Sequence, residues 1–167
     1  MKKQKGFSLI ELLIVVAIIL IIAAIAIPNL LRSKMAANEA SAVGSLRTIN
    51  TAQVTYSSTY GTGYAAALSN LSTPTAGCAT ASATTACLID SNLGGGTKSG
   101  YNFVSAGGGG AATTASPNTN FNTSAVPVAI GQSGQNSFCS DESGVIRRDT
   151  TGAVDAACGT SSLPPLQ

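Results

Sequence analysis

The side chains that could carry chemistry in this chain are four cysteines and seven acids, because histidine is absent. The absence of histidine excludes His-based acid–base catalysis, Ser-His-Asp triads and His-containing metal sites. No Cys-x-x-Cys pair is present, so a zinc site would need all four thiolates from badly spaced positions. No paired carboxylates, nucleophile–base pair or basic–aromatic surface is visible either. The sequence therefore predicts a protein that is not an enzyme and that has no cofactor, metal site or nucleic-acid partner.

Two further patterns resemble ligand-binding motifs without meeting their requirements. The segment from Gly94 to Ser99 is similar to a phosphate-binding loop, but Thr97 stands where that motif needs a glycine before the lysine. Four acids near the C-terminus could hold calcium, although an ordinary solvated turn is sufficient to explain them. These acids are Asp141, Glu142, Asp149 and Asp155.

All four cysteines come after an apolar N-terminal segment that can span a membrane, so they are predicted to lie outside the membrane. An even number of cysteines in an exported region predicts disulfides, here among Cys78, Cys87, Cys139 and Cys158. Pairing in sequence order, Cys78 with Cys87 and Cys139 with Cys158, is favoured because it is local. The sequence alone leaves all three connectivities open.

The N-terminal segment is long and apolar enough to span a membrane. Sixteen consecutive apolar residues run from Leu12 to Ile27, and Pro28 follows. Extended back to Phe7, the segment would form a helix of roughly 31 Å, about one hydrocarbon core. Lipid favours a helix here, since a helix satisfies its own backbone. Three lysines among the first five residues mark the N-terminal end as cytoplasmic, which places the rest of the chain across the membrane.

Glu11 is the charged exception in this segment. An acid at that depth costs roughly 2.5–3.5 kcal/mol on insertion scales, so it needs a partner, and no Lys or Arg lies within one helical turn. The alternative is a glutamate near the interface that snorkels or stays protonated. Two other interpretations of the segment are a plain single-pass anchor and a cleaved signal peptide ending near Ala24-Ile25-Ala26. Glu11 and the helical pattern that continues beyond Pro28 argue against the signal peptide.

The first residues resemble a known signature. Gly6-Phe7-Ser8-Leu9-Ile10-Glu11, followed by a long apolar helix and Pro28, is similar to the prepilin signature of type IV pilins and type II secretion pseudopilins. The resemblance implies that residues 1–6 are a leader, cut between Gly6 and Phe7 by a prepilin peptidase. It also implies N-methylation of the new Phe7 amine and an apolar segment that stays on the mature protein.

The same resemblance implies how the subunits assemble. Glu11 would pair with the N-terminal ammonium of a neighbouring subunit as the helices stack into a filament. One residue departs from the pattern, because Leu20 stands where many members carry a glycine eight residues before the proline. The helix melting that such a glycine favours is therefore not expected here.

The sequence after Pro28 predicts a continuing helix. Residues 7–28 are predicted as the transmembrane and polymerisation helix, and residues 29–60 as its amphipathic continuation, with Pro28 kinking rather than ending the helix. Apolar and buried-type residues recur at three- and four-residue steps and predict one face toward the globular part. These residues are Met35, Ala42, Leu46, Ile49, Gln53 and Tyr56. Gly61 and Gly63 are expected to end the helix.

Residues 61–167 are predicted as a β-rich globular head with variable loops. A loop over 65–97 would be closed by Cys78 and Cys87, and the eight glycines from 94 to 110 favour a mobile surface loop. Four segments predict strands: Tyr101–Val104, Val126–Ile130 at a sheet edge because of Pro127, and a hairpin of Ser137–Cys139 with Val145–Arg148. The predicted fold class is α+β, a long N-terminal helix packed on a small antiparallel sheet, which is also the arrangement of the pilin head.

These patterns predict a structural subunit that polymerises through its N-terminal helix. The implied partners are other copies of the chain, a prepilin peptidase, inner-membrane assembly machinery and membrane lipid before assembly. The leading hypothesis is a type IV pilin in a cell-surface pilus used for adhesion or twitching motility, stored first in the inner membrane. The alternative is a pseudopilin in a periplasmic filament of type II secretion, and a remote one is a secreted soluble binding protein. Pilins commonly close a C-terminal loop by a disulfide, which the resemblance implies for Cys139 and Cys158.

Overall fold

The computed structural model describes residues 7–152 and 163–166. The chain divides into two compact units, Met1–Lys34 and Met35–Gln167. One helix, α1, covers Leu9–Tyr60 and contributes to both units. The prediction that Pro28 does not end this helix is confirmed, since the helix continues for 32 residues beyond it, and Gly61 (φ +67°) follows its last residue.

In the first unit, α1 exposes apolar side chains on all sides. Large apolar residues from Phe7 to Leu31 are 41% to 79% exposed. The most apolar 18-residue window has a mean hydropathy of 3.3, and none of it is buried. By length and composition this helix can cross a membrane.

The second unit contains a five-stranded antiparallel sheet whose strands follow each other in chain order. The strands are β1 (Thr97–Lys98), β2 (Tyr101–Gly108), β3 (Asn120–Pro127), β4 (Ser137–Asp141) and β5 (Arg147–Asp149). Two single-turn helices, α2 (Leu68–Leu71) and α3 (Ser91–Gly94), lie between α1 and the sheet in sequence. The α+β class predicted from the sequence is confirmed.

The core of this unit joins one face of α1 to the sheet. Ala42, Leu46 and Ile49 of α1 are fully buried, and Tyr56 is 5% exposed. They share one apolar cluster with side chains from the sheet and the two short helices, including Leu71, Leu93, Tyr101, Phe103, Ala125 and Phe138. The predicted helical face is therefore confirmed, with Met35 half-buried at its start.

The predicted position of the strand containing Pro127 is wrong. β3 begins at Asn120, lies in the middle of the sheet between β2 and β4, and ends at Pro127. A proline is tolerated there because the next amide, of Val128, donates to the Gly100 carbonyl on the β2 side, so position 127 faces β4, whose pairing with β3 extends only to Ala125. The first part of β3 was not predicted because its buried residues include small polar ones, Thr123 and Ser124. The Thr123 hydroxyl hydrogen-bonds the Ser105 hydroxyl at 3.0 Å. Hydroxyl pairing thus replaces the apolar alternation that sequence patterns detect.

Two predicted loops contain regular structure. The segment 65–97 includes α2, α3 and the first residue of β1, and the glycine-rich segment 94–110 includes the end of α3 and all of β1 and β2. The prediction of a mobile glycine loop is therefore wrong. At Gly107 a Cβ would lie 2.3 Å from the side-chain nitrogen Nδ2 of Asn118 and 2.7 Å from the Ala65 carbonyl oxygen. This glycine permits close packing in the sheet rather than mobility.

Candidate functional site

The N-terminal end of α1 carries the residues singled out by the sequence. Phe7 and Ser8 precede the helix, and Phe7 is 74% exposed. Gly6 and the rest of the predicted leader, residues 1–6, lie outside the described residues. The peptide bond between Gly6 and Phe7 therefore lies on the N-terminal side of the helix, two residues before its first residue, Leu9.

Glu11 has a hydrogen-bond partner within its own chain. The Leu12 amide donates to the Ser8 carbonyl at 3.2 Å, which makes Ser8 the N-cap residue. The Ser8 amide in turn donates to Glu11 Oε2 at 2.9 Å. This is the glutamate half of a capping box, in which an acid in the first turn satisfies an otherwise unpaired amide. This role of Glu11 was not predicted from the sequence, although Ser8-x-x-Glu11 is its signature.

The other predicted assembly positions lie farther along the exposed helix. Pro28 is inside α1 and exposed, and Leu20 is 63% exposed. Because proline has no N–H, the Ala24 carbonyl lacks its usual backbone donor from residue 28. The roles of Glu11 and Pro28 in assembly stay predictions.

The predicted Cys78–Cys87 disulfide is present, with a Cα–Cα distance of 6.1 Å. The segment that it closes is fastened to α2, because the Ala86 amide donates to the Asn70 carbonyl and the Leu88 amide to the Leu71 carbonyl, at 2.7 and 2.8 Å. The bridge thus stabilises a surface loop whose base is anchored in the core. No such contact was predictable from the sequence.

Of the second predicted disulfide, between Cys139 and Cys158, the structure describes only Cys139. Cys139 is 4% exposed and lies on β4, opposite Ser124 of β3 and Arg147 of β5. Its predicted partner, Cys158, lies outside the described residues. The pairing of Cys139 with Cys158 stays a prediction.

Two of the four acids considered as calcium ligands, Asp141 and Asp149, accept hydrogen bonds within local turns. Asp141 Oδ1 accepts hydrogen bonds from the amide, at 2.9 Å, and the hydroxyl of Ser143. Asp149 Oδ1 accepts from the amide and hydroxyl of Thr151, both at 2.8 Å. Asp155 lies outside the described residues. Across residues 7–152 and 163–166, no group of three metal-ligating side chains occurs.

The segment similar to a phosphate loop has a different role. Asp90 caps α3 by accepting a hydrogen bond from the Leu93 amide at 3.0 Å, and Lys98 Nζ lies 3.3 Å from its other oxygen. The Leu93 amide, with a smaller contribution from Lys98, lowers the pKa of Asp90 below its ordinary value of 3.8 against the opposing effect of burial. Lys98 is thus engaged by an acid, and the glycines before it belong to α3 and the following turn.

Glu39 is a structural residue that the sequence analysis missed. Its Oε1 accepts hydrogen bonds from the Gln135 and Asn136 amides at 2.8 and 3.1 Å, and its Oε2 accepts from Asn136 Nδ2 at 2.9 Å. The adjacent Asn38 Nδ2 donates to the Ser133 carbonyl at 2.7 Å. We call these bonds of Asn38 and Glu39 to residues 133–136 the Glu39 clamp. No local sequence pattern predicts the Glu39 clamp, because the residues that Asn38 and Glu39 bind are almost a hundred residues away in sequence.

Tyr101 is the third residue that holds this segment. Its hydroxyl donates to the Asn136 carbonyl at 2.8 Å. Burial, and secondarily the nearby charge of Glu39, raises the pKa of the Tyr101 hydroxyl well above its ordinary value of 10.0. The hydroxyl therefore remains protonated and donating throughout the physiological pH range.

The chain is similar to known proteins at its N-terminal end. Residues 1–27 match the family described as the prokaryotic N-terminal methylation motif. The major component of the type IV wide pilus of Thermus thermophilus is 62% identical over 39 residues, which are 23% of this chain and 30% of that protein. The type IV major pilin of Myxococcus xanthus is 46% identical over 54 residues, 32% of this chain and 24% of that protein. No solved structure matches the chain at a significant level.

These matches confirm the resemblance that was drawn from the first residues and Glu11. The N-terminus carries the prepilin methylation motif, and the relatives are structural pilins. The chain spans about a quarter to a third of the length of the curated relatives it matches.

Proposed function

We propose that this chain is a type IV pilin, a structural subunit that polymerises into a cell-surface pilus. The observation that carries the proposal is the methylation motif over residues 1–27, placed on a helix whose apolar side chains are exposed on every side. Exposed apolar surface of this extent is unfavourable in water and needs a lipid or protein partner. A subunit that moves from a membrane into a filament core uses both partners in turn.

Processing is the first step of this proposal. A prepilin peptidase cuts the bond between Gly6 and Phe7, where the absence of a side chain on Gly6 leaves room for the enzyme. The residues that follow support access to this bond, because Phe7 and Ser8 are not helical and the helix begins only at Leu9. Methylation of the Phe7 amine then gives the mature N-terminus.

Assembly is the second step. Glu11 pairs with the Phe7 ammonium of a neighbouring subunit, while the apolar residues of the two helices exchange lipid for each other. The capping bond supports this role, since it uses Glu11 Oε2 and leaves Oε1 without a hydrogen bond to any of the described residues. A charge-assisted bond in an apolar filament core is stronger than one in water. The assembly machinery of the inner membrane would add subunits one at a time.

The pilus is favoured over the periplasmic pseudopilus by the relatives, since both are named as pilus components. The head is also sparsely charged, with only Asp90 and Lys98 between Thr48 and Ser140. We propose adhesion or twitching motility as the use of the filament, with no catalytic activity. The unassembled subunit is held in the inner membrane.

Mass spectrometry of the N-terminus tests the proposal. The mature protein should begin at Phe7 and carry one methyl group, and negative-stain microscopy of the cell surface should show filaments containing it. A Gly6→Leu variant should accumulate as uncleaved precursor without filaments, whereas Gly6→Ala, with a small side chain, should be cut at least in part. A mature N-terminus elsewhere, near residue 27, would instead identify a secreted protein. Normal maturation of Gly6→Leu would also overturn the proposal.

A further inference from the structure

Two charged positions frame the exposed apolar part of α1. Glu11 precedes it and Arg32 follows it, and the twenty residues between them contain a single polar side chain, Asn29. At 1.5 Å per residue these twenty residues rise about 30 Å, the thickness of a hydrocarbon core. Leu30 and Leu31, which lie beyond Pro28, are still 71% and 41% exposed. The apolar surface therefore extends farther toward the C-terminus than the segment 7–28 predicted from the sequence.

The capping bond at Glu11 supports a boundary at this residue. The Ser8 amide that it accepts from is one of the amides that a helix leaves unpaired at its start. A carboxylate that caps a helix at headgroup depth also keeps its contact with water. A membrane span of 7–28 would bury the charge of Glu11 in lipid, whereas a span that begins after Glu11 avoids that cost.

Arg32 and Lys34 mark the other boundary. Both are exposed, and the one ion pair found in residues 7–152 and 163–166 is Lys98–Asp90. Two residues correspond to about 200° of helix rotation and 3 Å of rise, so the two cations lie on different sides of α1 at nearly one depth. Long basic side chains reach the phosphates of a membrane surface from such positions.

From these features we infer that the unassembled chain spans the membrane with Leu12–Leu31, and that Arg32 and Lys34 bind lipid phosphates at the outer surface. The inference rests on the proposed function, because it describes the subunit before assembly. The two cations then fix how far the helix is inserted, and Glu11 lies at the inner headgroup level with its cap formed. The three lysines of the leader still outnumber the two outer cations, so the orientation is unchanged.

Tryptophan depth measurements test the span, because the chain contains no tryptophan of its own. Single variants Leu12→Trp, Ala17→Trp, Ile21→Trp and Leu31→Trp of the full chain are reconstituted in vesicles of phosphatidylcholine and phosphatidylglycerol with bromine at different acyl positions. The inferred span predicts that Ile21→Trp is deepest and that Leu12→Trp and Leu31→Trp are equally shallow. The span of 7–28 predicted from the sequence would instead be centred next to Ala17, about 6 Å away along the helix. Deepest quenching at Ala17→Trp would overturn the inference.

The phosphate contact is tested in the same vesicles by solid-state NMR of ¹³Cζ-labelled arginine. In phosphate-free buffer the lipid is the only source of ³¹P, so dephasing of the arginine signal reports lipid contact alone. Arg32→Gln should remove this dephasing, while Arg47→Gln, which removes an exposed arginine of the second unit, should not. Equal dephasing in both variants would refute the lipid contact.

Carbonate extraction distinguishes the two possible failures. A chain that is extracted from the vesicles is not integral to the membrane, which would contradict the proposed pilin function itself. A chain that resists extraction but is centred on Ala17 would contradict only the inferred span and its anchors.

Discussion

At the scale of single residues, two glutamates of α1 accept hydrogen bonds from backbone amides, one nearby in sequence and one far away. Glu11 accepts one amide from its own first turn, at an exposed helix end. Glu39 accepts two amides and a side-chain nitrogen from a segment about a hundred residues later. The first carboxylate has one oxygen, Oε1, without a hydrogen bond to any of the described residues, whereas the second uses both oxygens to hold residues 135 and 136. Substitutions at the two positions should therefore affect different processes.

Glu11→Gln should be processed normally but should assemble poorly. The amide oxygen of glutamine can still accept from Ser8, so the cap and the position of the scissile bond are retained. The missing charge leaves the neighbouring ammonium unpaired in the filament core, which costs about 3–5 kcal/mol. The filament yield in sheared surface fractions, normalised to mature subunit in the membrane, measures this effect. Wild-type yield from Glu11→Gln would show that the ion pair is unimportant.

Glu39→Ala should destabilise the head by about 2–4 kcal/mol, because it removes a charged acceptor from three donors. Glu39→Gln, which keeps one oxygen, should lose roughly half as much. Denaturant unfolding of the full chain in detergent, followed by near-UV tyrosine circular dichroism, gives the free energies. Glu142→Gln removes an exposed acid on the β4–β5 turn and is the matched control. Equal stability of Glu39→Ala and this control would contradict the clamp.

At the scale of elements, the connection from α1 into the head depends on two glycines with positive φ. Gly61 has φ +67° and open space around its Cβ position, whereas Gly63 has φ +74° and lies against Asn118. There the Tyr64 amide donates to the Asn118 carbonyl at 3.2 Å, and the Asn118 amide donates to the Thr62 carbonyl at 3.0 Å. The two glycines share the same backbone requirement but differ in packing.

Gly61→Ala should cost only the left-handed backbone penalty, about 1–2 kcal/mol. Gly63→Ala should cost about 3–4 kcal/mol, because its Cβ would also lie 2.0 Å from the Asn118 carbonyl oxygen and force a backbone shift. The difference between the two midpoints in the same denaturant titration isolates the packing contribution. Similar midpoints for the two variants would mean that the contact with Asn118 is easily relaxed.

The short helix α3 should give the head a defined response to acid. The lowered pKa of Asp90 means that its stabilising contribution is complete above the ordinary value of 3.8 and is lost as the pH falls through the lower, folded-state value. Asp90→Ala should cost about 1 kcal/mol at neutral pH, as for other N-caps. The difference in the free energy of unfolding between Asp90→Ala and the wild type, measured by denaturant titration at each pH, should shrink in acid. Asp90→Asn keeps the cap without the charge, so its stability relative to Asp90→Ala should not change with pH.

At the scale of the whole molecule, processing and head stability belong to different units. The proposed cleavage site between Gly6 and Phe7 lies in Met1–Lys34, and every cysteine lies in Met35–Gln167. The C-terminal residues contribute to the second unit, because the Arg148 amide donates to the Pro164 carbonyl at 3.2 Å and the Leu166 amide donates to the Ile146 carbonyl at 2.8 Å. A bridge from Cys139 to Cys158 would hold this tail in place.

Cys158→Ser should leave leader cleavage intact but reduce protease resistance and pilus abundance. Closing the 18 residues between Cys139 and Cys158 should contribute roughly 3 kcal/mol, a sizeable share of a typical total of about 5–15 kcal/mol. Limited proteolysis of surface-isolated protein measures the loss, with Cys78→Ser as the comparison for a bridge in another loop. Non-reducing peptide mapping checks the pairing itself, and any partner of Cys139 other than Cys158 would contradict it.

Much of the fold was predictable, because its signals are local in sequence. The apolar segment, the three- and four-residue spacing on α1 and the glycines at its end all depend on neighbours within two helical turns. The hairpin around residues 141–144 and the Cys78–Cys87 bridge also join nearby residues. The predicted class and the helical face were therefore correct.

The sequence by itself thus determined the apolar helix, its N-terminal motif and the α+β class, since local spacing and composition decide them. Only the tertiary structure decided the central position of β3, the packing role of Gly107 and the partners of Glu39. Each of these depends on groups distant in sequence: the hydroxyls of Ser105 and Thr123, the backbone at Ala65, and the amides of Gln135 and Asn136. Polar and steric complementarity of this kind leaves no periodic pattern, because it is created when distant segments are brought together by the burial of the apolar core.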